Sequence, residues 1–189
     1  MLKKLSPFIL PIGLVILAIV ARLVPHAPNL APIAAIALLS GTMYKFPRSL
    51  FLPITAMVIS DAFIGFSPWP ITLAVYGSFA VATFLGTFLR KQGFWKVPVA
   101  ALASSLLFYV ITNFVVWLTS GMYQPTFSGL TYCYINALPF LKNTIAGDMI
   151  YSVVLFTMVK NYLPSFSSIT SRLYSPSART KEKQSPASS

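Results

Sequence analysis

Two aspartates, Asp61 and Asp148, stand inside strongly apolar stretches; the third acid, Glu182, lies in a polar segment near the C-terminus. A carboxylate in hydrocarbon is expensive and needs a cation, a proton or a polar ligand as partner. Three chemistries use such acids. Two carboxyls sharing a proton can activate water and protonate a leaving group. Separate carboxylates can hold an ion or a polar solute. A single carboxylate can neutralise a buried arginine. The polar and aromatic residues that accompany the acids are Arg22, His26 and Asn29 before Asp61, then Asn113, Trp117, Tyr132 and Asn136 before Asp148. Carboxylates and amides offer hydrogen bonds, and rings offer stacking surfaces, so these residues and the two acids form the candidate ligand-binding set.

Other chemistries lack their residues. One histidine and one cysteine, Cys133, exclude an internal disulfide and any multi-histidine or multi-cysteine metal site. A His26–Asp61–Asp148 metal arrangement is conceivable, but His26 reads better as an anchoring hydrogen-bond residue, and neither metal nor cofactor is expected. The chain has no Gly-x-x-x-x-Gly-Lys-[Ser/Thr] phosphate loop and no Gly-x-Ser-x-Gly nucleophile turn. Asp148 follows Ile145-Ala146-Gly147, without the first glycine of the Gly-x-Gly-Asp pattern of intramembrane aspartyl hydrolases.

The elements that must position these residues are apolar. The 189 residues are 56% hydrophobic and 9% charged, with mean hydropathy +0.75; a soluble domain carries roughly 25% charged residues. The expected class is an all-α integral membrane protein. A spanning helix needs ~20 apolar residues. Six candidate spans result, at about 7–24, 30–44, 49–66, 71–89, 97–119 and 143–160. The first resembles a signal peptide but lacks a cleavage pattern before Arg22, and reads as a retained helix. The second is short and opens on Pro28-Asn29-Leu30-Ala31-Pro32, so it is expected to be short or broken, enclosed by protein.

The net charge of +11 comes from basic residues in short loops and in the tail, a topology signal rather than a nucleic-acid footprint. With the N-terminus inside, Lys3, Lys4, Lys45, Arg48, Arg90, Lys91, Lys96, Lys160, Arg172, Arg179, Lys181 and Lys183 are cytoplasmic, and only Arg22 and Lys142 lie outside. Both termini are then cytoplasmic in a multi-pass protein of the cell inner (plasma) membrane. Residues 1–164 make the membrane domain, and the Ser-rich basic stretch 165–189 reads as a disordered tail.

Counting from the span ends at 1.5 Å per residue puts Asp61 and Asp148 each roughly 8 Å below the outer interface. Asn113 comes out at a similar depth, with Arg22, His26, Asn29 and Asn136 bordering the same region. One outward-facing pocket for a small solute is the expectation, with Arg22 paired to one acid. Residues 120–142, rich in aromatic residues and broken by Gly121, Pro125, Gly129 and Pro139, read as an outer cap. On the fourth span Ala74, Ser78, Ala82 and Gly86 recur every fourth residue, a small stripe for close helix packing inside the bundle or against a partner subunit.

The strings Arg22-Leu23-Val24-Pro25-His26-Ala27-Pro28-Asn29-Leu30-Ala31-Pro32, Ala34-Ala35-Ile36-Ala37-Leu38 and Ser60-Asp61-Ala62-Phe63-Ile64-Gly65 carry a resemblance. So do Thr112-Asn113-Phe114-Val115-Val116-Trp117, Gly129-Leu130-Thr131-Tyr132-Cys133-Tyr134 and Gly147-Asp148. Over about 22–160 the chain resembles a family of uncharacterised membrane transport proteins that is similar to the S (substrate-binding) components of energy-coupling-factor vitamin transporters. The resemblance implies a six-helix protein that captures a vitamin or related micronutrient in a pocket toward the outer face. It also implies docking on a membrane coupling subunit with two ATPases. The Ala-x-x-x-Ala docking face of such first helices is absent here, where the first span offers Gly13, Ala18 and Ala21. The expected function is thus substrate capture rather than enzymatic. A proton- or sodium-coupled carrier and an intramembrane aspartyl hydrolase stand as alternatives.

Overall fold

A computed structural model describes residues 9–25, 27–90 and 92–162. His26 and the expected tail at 165–189 lie outside the described residues. The chain forms two compact units, Met1–Phe156 and Thr157–Ser189. Of the second, residues 157–162 are described, and they are helical.

The described residues form six α-helices and no strand: α1 (Ile9–Leu23), α2 (Ile33–Met43), α3 (Phe51–Ile64, entered through a 3-10 turn at Arg48–Leu50), α4 (Trp69–Leu89), α5 (Lys96–Thr119) and α6 (Phe127–Tyr162). Proline and glycine set several boundaries. α3 stops at Gly65, whose φ of 102° is open to glycine and whose N–H caps Asp61 O at 2.8 Å. Pro70 sits in the first turn of α4, where its missing N–H leaves no gap.

α2 is the buried axis. Its 11 residues extend only ~16 Å, about half the hydrocarbon thickness. Residues 33–41 are all buried, enclosed by α1, α3, α4 and α5. The short second segment expected from sequence is therefore an unbroken helix whose surroundings are protein. Its backbone touches that of α4. A Cβ on Gly86 would lie 2.9 Å from Leu38 Cα, and one on Gly41 would lie 2.9 Å from Gly86 Cα. Arg90 closes the end of α2 by donating to Gly41 O at 2.9 Å and to Tyr44 O. The stripe Ala74, Ser78, Ala82 and Gly86 is buried within the chain. Its Gly86 serves the α2–α4 contact, and the buried stripe is not left exposed for a partner subunit.

The expected outer cap is not a separate element. Residues 127–142 are the first half of α6, a continuous helix of 36 residues that also contains the expected sixth span. Thr126 starts it, its hydroxyl accepting from Gly129 N at 3.1 Å and its carbonyl from Leu130 N at 3.0 Å. Pro139 removes the donor that Ile135 O would receive. Nearby, the Tyr109 hydroxyl donates to Tyr134 O at 2.6 Å, and the Tyr134 hydroxyl donates to Val110 O at 2.8 Å. Both bonds tie α6 to α5 at Tyr134, between Gly129 and Pro139.

The radial distribution of side chains is inverted relative to a water-soluble bundle. Buried positions are mostly small or hydroxyl-bearing: Ala18, Ala35, Ala37, Ser40, Ala56, Ser60, Ala82, Thr83, Ala101 and Ser105. Exposed positions include Ile12, Ile16, Phe63, Trp69, Leu73, Phe84, Phe88, Val99, Val110 and Leu118. In water such a surface would be a large sticky patch. In lipid it costs nothing, and small residues are what let helices approach.

Candidate functional site

Arg22, at the end of α1, reaches α3. Its Nη2 lies 2.7 Å from Asp61 Oδ1, while Nη1 donates to Ser60 Oγ at 2.6 Å and to Met57 Sδ at 3.0 Å. The Tyr76 hydroxyl, from α4, donates to Asp61 Oδ2 at 2.7 Å. Both carboxylate oxygens are thus occupied, and the arginine joins three helices through one acid. Residues 57, 60 and 61 share the α3 face toward α1 because they recur at helical spacing. The arginine–aspartate pairing expected from sequence is therefore realised with Asp61.

Asp148 belongs to a different network. It is 2% exposed on α6 and accepts from Ser105 Oγ of α5 at 2.7 Å. Among the described residues no basic side chain pairs with it and no hydrogen bond joins it to Asp61. The two acids, expected as walls of one pocket, sit in separate networks because equal depth in a bundle does not fix which way each helix faces.

Between α4, α5, α6 and the turn before α2 lies a cavity of about 160 Å³. Its wall is Asn29, Val75, Phe108, Tyr109, Thr112, Asn113, Phe140, Leu141 and Thr144. Asn29, held at a left-handed φ of 64°, is exposed at the rim. The hydroxyls of Thr112 and Thr144 donate to the carbonyls four residues back at 2.7 and 2.8 Å, and Asn113 Nδ2 donates to Tyr109 O at 2.8 Å. The preceding turn is packed on α6: a Cβ at Gly147 would meet Leu30 Cδ1 at 3.3 Å and Asn29 O at 3.7 Å.

Of the candidate residues, the cavity brings together Asn29 and Asn113. Trp117 instead donates Nε1 to Gln124 O at 3.0 Å, closing the turn after α5. Tyr132 is 63% exposed on α6, and Asn136 is exposed with its amide 3.5 Å from the Tyr123 hydroxyl. Neither lines the cavity: Asn136 and Tyr132 lie about one and two turns of α6 before Phe140, where both are exposed. Sequence reasoning missed Thr112 and Thr144, whose signals were faint. Ser105, Tyr109 and Thr112 recur at i, i+4 and i+7, and Thr144 stands four residues before Asp148.

An inside of small and hydroxyl residues, an outside of large apolar ones and a cavity of mixed polar and apolar wall define an all-helical protein in which α4 and α5 are long and apolar enough to cross a membrane. The chain belongs to a family of unknown function (DUF6580), whose model matches residues 3–169. No curated protein and no solved structure matches it.

Proposed function

We propose that the chain is the substrate-capture subunit of a membrane transporter, similar in role to the S components it resembles. It is a six-span protein of the cell inner membrane with both termini cytoplasmic, taking a small polar solute from the outer side. A membrane coupling subunit with ATPases would supply the energy. The observation that carries this reading is the cavity of about 160 Å³ walled by Asn29, Thr112, Asn113 and Thr144. The charge bias of the loops turns its Asn29 rim outward. An engineered cavity of ~150 Å³ holds benzene, so the enclosed part of the ligand is of that size, and a vitamin-sized solute would project past Asn29.

The test is thermal unfolding of the purified chain in detergent against vitamins, nucleosides, small amines and small acids. A ligand at 100 times its Kd stabilises by about 2.7 kcal/mol. A rise in Tm that disappears when the cavity is filled by Val75→Trp supports capture; a panel with no response sinks it.

A proton- or sodium-coupled carrier is the second reading, favoured by one observation: Asp148 is buried without a basic partner among the described residues. Uptake into proteoliposomes that needs an ion gradient and no ATP would select it.

A further inference from the structure

The hydroxyl protons on the cavity wall are committed to carbonyls, as is one N–H of Asn113, which leaves its second N–H and the Asn29 amide to a ligand. Thr112 Oγ1 donates to Phe108 O, Thr144 Oγ1 to Phe140 O, Asn113 Nδ2 to Tyr109 O, and the Tyr109 hydroxyl to Tyr134 O. These groups keep lone pairs on two threonine oxygens and on Asn113 Oδ1. Such a wall matches a solute rich in N–H. It offers a carboxylate or phosphate only neutral amide donors and no basic side chain on the wall.

Beneath the wall lies a carboxyl with no basic partner among the described residues. Asp148 follows Thr144 by one turn of α6, and its partner Ser105 precedes Tyr109 by one turn of α5. The Ser105–Asp148 pair therefore sits one turn deeper on the same α5–α6 seam. Ser105 has one proton and two acceptors in reach, Asp148 Oδ2 at 2.7 Å and Ala101 O at 3.0 Å. This geometry serves both forms of the acid. The carboxylate accepts from Ser105; the neutral acid donates to Ser105 Oγ while Ser105 donates to Ala101 O.

The other titratable groups of the surrounding helices are engaged or placed elsewhere. Arg22, Asp61 and Tyr76 hold one another, Tyr109 donates to Tyr134 O, Tyr134 donates to Val110 O, and Lys96 donates to Gln92. α2 has none. On α6 itself, Tyr132 and Lys142 are exposed, Cys133 bonds Asn113 O, Tyr151 is half-buried one turn on, and Lys160 is three turns on. His26 lies outside the described residues.

We propose that the cavity takes a small organic cation bearing N–H donors, an amine or a guanidine, and that the cation binds in exchange for the proton of Asp148. This rests on the capture reading. An uncompensated carboxylate is untenable in an apolar interior, so the empty protein holds Asp148 as the acid. When the cation enters, its N–H groups go to Thr112, Thr144 and Asn113, and the Asp148 proton leaves to solvent. The charge of the site is unchanged across the step.

The test is calorimetry on the purified full chain in two buffers of different ionisation enthalpy. The probes are ethanolamine, methylguanidine and benzylamine, with benzyl alcohol, benzoate and glycolate beside them. The expected result is binding of the cations alone, with release of about one proton and affinity rising about tenfold per pH unit while the empty site is protonated. Asp148→Asn should abolish the proton release and weaken binding at least tenfold. Thr144→Val should weaken binding several-fold and keep the proton count, so the case does not depend on Asp148→Asn folding. His26→Ala should release the same proton. Neutral or anionic probes binding as well as the cations, a proton count of zero, or a count lost in His26→Ala overturns the exchange and leaves capture standing. No binding of any probe, together with silence from the wider panel above, overturns both.

Discussion

Tyr76 donates its hydroxyl to Asp61 Oδ2 at 2.7 Å, on the oxygen opposite the one that Arg22 holds at 2.7 Å. One carboxylate thus receives a neutral donor from α4 and a charged one from α1. The side chains of Arg22 and Asp61 are 20% and 10% exposed, which places the pair mostly out of water, where removing one partner is worse than removing both.

Arg22→Met should therefore destabilise the protein by about 3 kcal/mol, and Arg22→Met with Asp61→Leu should recover most of that loss. Unfolding in mixed detergent micelles measures both. A double variant as unstable as the single one would mean that the charge is not what Asp61 contributes.

Tyr76→Phe removes one hydrogen bond to a charged acceptor and leaves the ring in place. The expected loss is about 1.5 kcal/mol, smaller than for Arg22→Met, read in the same unfolding experiment.

Two glycines of α4 should respond oppositely to alanine. Gly86→Ala drives a methyl into the Leu38 backbone of α2 and should cost about 3 kcal/mol or more. Gly77 has no atom within 4 Å of its would-be Cβ, so Gly77→Ala should be neutral or stabilise by up to about 1 kcal/mol. Yield of monodisperse protein and Tm distinguish the two.

Ser152 is fully buried, and its Oγ has no hydrogen-bond partner among the described residues. Ser152→Ala removes an unsatisfied polar atom with little change in volume. It should raise stability by about 1 kcal/mol; a fall in Tm would show that the hydroxyl has a partner in solution.

Filling the cavity separates binding from folding. Val75→Trp adds a ring where the wall of Val75, Phe108 and Thr144 encloses about 160 Å³. Affinity for every cavity ligand should fall more than about tenfold, while overpacking costs about 1–3 kcal/mol. Equilibrium dialysis beside a thermal melt reads the two effects separately.

Much of the helical scaffold could be read from the chain, and its site only partly. α1, α3, α4 and α5 follow from apolar runs between turn residues, and the shortness of α2 follows from Pro28 and Pro32. Arg22 and an aspartate were bound to meet, since neither is stable alone in an apolar bundle. What failed was azimuth. Counting residues along a span gives an expected depth for Asp61 and Asp148 but not the direction each faces, which depends on packing partners outside the span. The cap at 120–142 failed for a related reason. Gly129 and Pro139 argue locally against a helix, whereas the Thr126 cap and the Tyr109 and Tyr134 hydroxyls, which carry it through, come from the preceding turn and from cross-helix contacts. Trp117, Tyr132 and Asn136 read as pocket residues for their rings and amide, and none of them lies on the cavity wall.

The short buried α2 bears on how the chain is assembled. Eleven residues, two of them Ser40 and Thr42, are too few to hold a spanning position in lipid by themselves, and the surface α2 needs is the Leu38–Gly86 contact with α4. During synthesis α4 emerges only after α2 and α3, so α2 must wait, undocked, until that helix arrives. A nascent chain halted after α3 is expected to leave α2 open to a water-soluble thiol reagent at an introduced cysteine such as Ala37→Cys. One halted after α4 is expected to have closed over it.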